Sequence, residues 1–216
     1  MEHSLQIDSV IKHFDTKKIL SDIYLELKTT DIIGIHGRNG IGKSTLFNII
    51  YGIEKADQAL IKHNHTAIKK PFKIKDLIAY SSQKCFLPKI TLVEDLLQLF
   101  VCDECIDECL TIFKPILKSK VTNLSGGEQK MLQNFLILNS NAKFILLDEP
   151  FSKISPIMVD KLSQLIIKKS KSKGILISDH NHEQLFKITS KNYLLKNGTL
   201  KNISSIENYI EQQYLI

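Results

Sequence analysis

The run Gly37-Arg38-Asn39-Gly40-Ile41-Gly42-Lys43-Ser44-Thr45 has the glycine, lysine and hydroxyl spacing G-x-x-x-x-G-K-[ST] of a phosphate-binding loop. Its glycines let the backbone curl until successive N–H groups point inward, and a following helix adds the positive end of its dipole at the same place. Lys43 is placed to reach β- and γ-phosphates, and the Ser44 hydroxyl to bind an accompanying magnesium ion. A Gly-rich turn can spell this pattern by accident. Here the flanks agree with the motif, because Ile32 to Ile35 predicts a buried strand before it and Thr45 to Tyr51 a helix after it.

A second group of reactive side chains lies at the ends of apolar runs. Phe144-Ile145-Leu146-Leu147-Asp148-Glu149-Pro150 reads as a buried strand that ends in two carboxylates. Strand ends of a parallel sheet are where ligands bind, so Asp148 is placed for magnesium and Glu149 beside it for a water molecule. Leu77 to Gln83 and Gly174 to Ser178 read as further short buried strands, the first ending in Gln83 and the second followed by Asp179-His180-Asn181. Leu124-Ser125-Gly126-Gly127-Glu128-Gln129 puts Ser125 and Glu128 at capping-box spacing, which predicts an exposed helix N-terminus able to accept an anion.

The elements that must position these residues follow from periodicity and turn chemistry. Apolar residues alternate with polar ones over Leu5 to Ile11 and Ile23 to Leu27, predicting half-buried antiparallel strands, with His13-Phe14-Asp15-Thr16 as a polar turn between them. Phe14 in such a turn is either core or an aromatic surface for a base. Gly52 reads as a helix C-cap, and the lysine-rich stretch Lys62 to Lys75 as strand and loop. Thr91-Leu92-Val93-Glu94 carries the capping-box pattern before Leu96, Leu97, Leu99 and Phe100, and a second amphipathic helix is predicted over Glu104 to Phe113, limited by Pro115. Residues 84–123 therefore read as a small helical insertion. Ser155-Pro156 opens another helix, Asn197-Gly198 marks a hairpin between Tyr193 and Lys201, and Ser205 to Leu215 predicts a closing helix.

Composition narrows the classes. At 216 residues and 43% apolar, the chain is sized for one domain with a small insertion. The net charge of +6 leaves an acidic partner open, but the lysines cluster as in Lys168-Lys169-Ser170-Lys171-Ser172-Lys173, at a predicted helix end whose dipole they complement. No nucleic acid is expected. Cys102, Cys105 and Cys109 share one helical face, a spacing open to a soft metal, but they are interleaved with acids in an amphipathic segment, where free cysteine packs as a small hydrophobe. The absence of a long apolar run or signal pattern predicts a cytosolic chain with no membrane span.

In this order the phosphate loop, Gln83, Leu124-Ser125-Gly126-Gly127-Glu128, Asp148-Glu149 and His180 resemble the ATPase subunit of the ATP-binding cassette (ABC) family over essentially the whole chain, 1–216. The resemblance implies an α/β P-loop NTPase fold: a mostly parallel central sheet, an N-terminal antiparallel β-subdomain, and an inserted helical subdomain at about 84–142. It implies ATP and Mg2+ as ligands. Phe14 would stack on adenine, Gly37 to Thr45 would hold the phosphates, and Ser44, Gln83 and Asp148 would serve the metal. Gln83 would also contact the attacking water, Glu149 would polarise it, and His180 would bind the γ-phosphate. Ser125, Gly126, Gly127 and Glu128 would act in trans, completing the site of a second ATPase subunit, identical or different.

The implied function is ATP hydrolysis that drives a separately encoded membrane permease, with the chain peripheral on the cytoplasmic face. A non-transport relative acting on nucleic acid or ribosomes would carry paired cassettes or long insertions, which this chain lacks, and a small-molecule phosphotransferase would leave LSGGE unexplained. Ser155 departs from the family, standing where an aspartate that couples the two sites is usual, and the helical insertion is shorter than usual. Ser178-Asp179-His180-Asn181 resembles ATPases of the lipopolysaccharide-export and branched-chain amino acid type.

Overall fold

A computed structural model describes residues 2–100, 109 and 112–214. Two sheets carry the fold. The first has strand order β2-β1-β4-β5 and is antiparallel throughout, built from β1 (Ser4–Phe14), β2 (Lys17–Lys28), β4 (Gln58–His63) and β5 (Thr66–Ile68). The second has order β10-β9-β3-β8-β7-β6, from β3 (Ile32–His36), β6 (Ile78–Ser81), β7 (Phe144–Asp148), β8 (Gly174–Ser178), β9 (Lys191–Lys196) and β10 (Thr199–Asn202). Only the β9–β10 hairpin in it is antiparallel. The α/β class, the parallel centre and the antiparallel N-terminal sheet thus agree with the sequence expectation.

Strands β3, β7 and β8 are buried along their whole length, which is why they read as solid apolar runs instead of alternating ones. Successive side chains still go to opposite faces. Phe144, Leu146 and Leu176 join Ile33, Ile35 and the helix α1 (Lys43–Tyr51) in one core with the antiparallel sheet. Ile145, Leu147, Ile175 and Ile177 join a second core with helices α3 (Gly126–Asn139) and α4 (Pro156–Ser170). Helix α2 (Val93–Phe100) packs on the α3 side through Val93, Leu96 and Leu97, and α5 (His182–Ile188) and α6 (Ile206–Tyr214) close the chain.

Several local expectations change. His13 and Phe14 are strand residues paired with Lys18 and Lys17, and the turn is only Asp15-Thr16, with Asp15 in the left-handed region at φ 50°. Their polar neighbours hid the strand because the β1–β2 hairpin runs past the core into solvent. Strand β4 starts at Gln58, ahead of the Lys62 boundary; Ala59, Leu60 and Ile61 form a short apolar run without period-two alternation, and its first three residues are exposed. The Thr91 capping box does not form: the Val93 and Glu94 N–H groups donate to the Ser119 and Leu117 carbonyls at 3.1 and 3.0 Å, so main chain from 117–119 caps α2. Lys43, two residues before the expected Thr45, begins α1. Most of the helix expected over 104–113, with Cys102 and Cys105, lies outside the described residues; Cys109 is buried.

The other signals hold. Gly52 caps α1 in the left-handed conformation, donating its N–H to the Asn48 carbonyl at 2.9 Å. Ser125 and Glu128 form a reciprocal capping box at the start of α3. Asn197 and Gly198 turn the β9–β10 hairpin with φ 51° and 79°.

Candidate functional site

Because β3, β6, β7 and β8 are parallel, their C-terminal ends lie along one edge of the sheet. Gly37 follows β3, Gln83 lies just past β6, Glu149 follows β7 and His180 lies just past β8. A cleft of about 510 Å³ opens there, lined by Phe14, Ile19, Asn39, Gly40, Gly42, Lys43, Ser44, Thr45, Gln83, Glu149 and His180. Residues separated by up to 166 positions in the chain, Phe14 and His180, thus share one wall-to-wall site. A larger hollow of about 760 Å³ between α1 and the β4–β5 hairpin contains none of the predicted site residues.

The loop itself is shaped for an anion. Gly42 is the N-cap of α1 at φ 115°, where a Cβ would also stand 2.6 Å from Ile19 Cγ2, so glycine is required on both backbone and steric grounds. The first turn of α1 has no side-chain cap, leaving its N–H groups directed at the cleft. Lys43 is 6% exposed, and its ammonium donates to the Gly37 and Arg38 carbonyls at 2.7 and 3.1 Å. Burial lowers its pKa, while Glu149, Asp148 and Asp179 pull it back up. Arg38 and Ile41 instead line a small separate hollow against the β9–β10 hairpin.

Opposite the loop, Glu149 sits between two partners. Gln83 Nε2 donates to its Oε2 at 2.8 Å, and His180 Nε2 lies 3.0 Å from its Oε1. Glu149 has φ 51°, an uncommon conformation for this residue type, held by its N–H donating to the Ser178 carbonyl at 2.7 Å. Asp148 lies behind the cleft, 1% exposed; its Oδ1 accepts from Ser178 at 2.8 Å and its Oδ2 from Tyr80 at 3.2 Å. Burial and the neighbouring Asp148 charge both raise the Tyr80 pKa, so the phenol stays a donor. Asp179, also buried, accepts from the Phe151 and Asn181 N–H groups at 2.8 and 2.9 Å and braces the two loops; burial raises its pKa.

Phe14 is 46% exposed and flanked by Lys12, whose ammonium lies 4.7 Å from the ring centroid. Ser125, Gly126, Gly127 and Glu128 stand apart from this group: among the described residues they do not line the cleft. Ser125 and Gly126 are exposed, and Gly127 packs so closely that a Cβ would meet the Lys153 carbonyl oxygen at 2.4 Å.

Sequence reasoning missed the supports of the site. On α3, Lys130, Gln133 and Asn134 occupy core-facing positions and are at most 5% exposed. A second polar cluster lies behind the phosphate loop: His36 Nδ1 and His182 Nδ1 are 3.0 Å apart, with Asn192 Oδ1 at 2.8 Å from His36 and the Tyr209 hydroxyl at 2.8 Å from His182. Polar residues at i, i+3 and i+4 on an apolar helix face were the available signal for the first cluster. For the second there was none, since its members come from four distant elements.

The ABC transporter family profile matches residues 20–152. A probable ABC transporter ATP-binding protein of Azorhizobium caulinodans is 31% identical across 92% of this chain and 76% of its own length. The lipopolysaccharide export system ATP-binding protein LptB of Haemophilus influenzae is 27% identical across 91% of this chain and 88% of its own. The crystal structure of the ADP conformation of an ATP-binding cassette of an ABC transporter superposes with a TM-score of 0.76, at 25% identity, over 98% of this chain and 94% of the other.

Proposed function

The chain belongs to the ABC transporter family as an ATP-binding, ATP-hydrolysing subunit, and we propose that the cleft around Lys43 is its ATP site and Glu149 its general base. The observation that carries this reading is the meeting of Gln83, Glu149 and His180 opposite the phosphate loop. Phe14, half-exposed at the rim, offers the face on which adenine stacks. The phosphates enter the N-terminus of α1 and take the Lys43 ammonium from the Gly37 and Arg38 carbonyls. Glu149 accepts a proton from the attacking water, and His180 donates to the γ-phosphate, so that positioning and charge do most of the work.

The donors fit Mg2+, which prefers a few hard oxygens and leaves its other positions to phosphate and water. Ser44 and Gln83 line the cleft and would contact the ion; Asp148, enclosed by Tyr80 and Ser178, would act on it from behind through its charge. Bound there, the ion would supply positive charge against the phosphates.

The signature Ser125 to Glu128, exposed at Ser125 and Gly126, supports a site shared with a second ATPase subunit, identical or different, whose γ-phosphate it would meet in trans. The segment after Gln83 exposes Phe86, Ile90, Leu99 and Phe100, an apolar surface suited to an integral membrane permease. Residues 84–142 would then act as the helical subdomain that meets it. Among the described residues no helix is long and apolar enough to cross a membrane, so attachment to the cytoplasmic face would run through the permease. The direct test is ATP binding and Mg2+-dependent hydrolysis by the purified chain: Lys43→Ala should lose both, and retained tight binding would refute the proposed site.

A further inference from the structure

Helix α3 starts at the signature and carries three buried polar side chains one turn further on. Lys130 donates from one ammonium to the Ser82 carbonyl at 2.8 Å and to the Asp148 carbonyl at 3.0 Å. Those carbonyls belong to the peptide units immediately before Gln83 and Glu149, the pair whose side chains bond at 2.8 Å. Gln133 reinforces the first loop, donating to the Ser82 carbonyl at 2.9 Å and accepting from the Phe86 N–H at 3.0 Å. Asn134 reinforces the second, donating to the Pro150 carbonyl at 3.0 Å. A buried amine is costly unless its donors are used, and this one is used on two loops that no strand ladder joins at that point.

We propose that Lys130 is a positioning residue for ATP hydrolysis, fixing the spacing between Gln83 and Glu149 and tying both to the helix that bears the signature. It is not among the residues that line the cleft. Its effect is on where the two functional side chains stand, and a misplacement of about 1 Å is enough to cost on the order of 100-fold in rate. Burial lowers the Lys130 pKa, and the nearby Asp148, Asp179 and Glu149 oppose that shift. Because Lys130 lies on the same rigid helix as Ser125, displacement of the signature by a second subunit's nucleotide would move the clamp with it. The inference rests on Glu149 being the base.

The test is steady-state hydrolysis and nucleotide affinity of the full chain, comparing wild type with Lys130→Met and Lys130→Gln, the second keeping an amide donor. We expect Lys130→Met to lower kcat by ~10-fold or more with KM and affinity within ~3-fold, and Lys130→Gln to fall between it and wild type. In a Gln83→Ala background the same substitution should cost much less, since the clamp has lost what it positions. If Lys130→Met fails to fold, the kcat against KM split in Lys130→Gln and its loss in the Gln83→Ala background decide the matter. Wild-type kcat in the folded Lys130 variants, a loss shared equally by affinity, or full additivity with Gln83→Ala would overturn the proposal. Glu149→Gln, run beside them, separates the two readings: an inactive Glu149→Gln with unaffected Lys130 variants removes the clamp alone, and an active Glu149→Gln removes its premise.

Discussion

Gln83 donates its side-chain amide to the Glu149 carboxylate at 2.8 Å, linking residues 66 positions apart across the mouth of the cleft. The proposed base is thereby tied to the loop that follows β6.

Glu149→Gln keeps the shape of the side chain and removes its basicity. We expect turnover to fall by ~100-fold or more, in the range general bases contribute, while ATP affinity stays within a few-fold and dimers accumulate. Phosphate release and equilibrium nucleotide binding measure the two sides; unchanged turnover would exclude Glu149 as the base.

The signature lies outside its own cleft, so a mixed dimer of Ser125→Arg and Lys43→Ala chains should retain at most one intact composite site. Its hydrolysis rate is expected at about half that of wild type, with each homodimer of variants near zero. Full-rate hydrolysis by isolated monomers would contradict a shared site.

Ser155 is the N-cap of α4 but its hydroxyl caps nothing, and Pro156 follows at the first helical position. Ser155→Asp adds a charged cap at the positive end of the helix and should raise stability by about 0.5–1 kcal/mol, read from thermal unfolding. If the missing aspartate limits communication between two sites, the same variant steepens the dependence of hydrolysis on ATP concentration. An unchanged Hill slope would argue against coupling at this position.

The histidine pair behind the phosphate loop predicts a pH dependence of stability. His182 is lowered from 6.5 to about 4, by burial first and then by His36, and His36 is lowered by its own burial. Below 6.5 the unfolded histidine binds a proton that the folded one refuses until about 4, so this contribution is complete above 6.5 and is lost as pH falls through that window. Thermal unfolding of wild type and His182→Asn across the window should show a gap that narrows with acid; a constant gap would be inconsistent with a neutral, half-buried His182.

What the sequence made legible was local. The phosphate loop, the capping box at Ser125, the Asn197-Gly198 turn and the strand-end carboxylates each depend on a few adjacent residues whose backbone or charge requirements are specific. The misses have a common physical cause. Thr91 had capping chemistry, but main chain from 117–119 reached the α2 N-terminus first. The outer half of the β1–β2 hairpin and the start of β4 lack apolar alternation because they bury little. The burial of Lys130 and Asp179 depends on tertiary contacts to carbonyls and N–H groups that adjacent residues do not specify.

The central sheet separates two cores, with Leu146 and Leu176 facing the nucleotide side and Leu147 and Ile177 the helical side. Adjacent residues on one strand therefore answer to different constraints. Cavity-forming changes such as Phe135→Ala fall on the helical side and Phe47→Ala on the other, so defects introduced in one layer are shielded from the other by a wall one strand thick. Under the proposed function, this partition would let the half that meets a permease change while the half around the phosphate loop is left as it is.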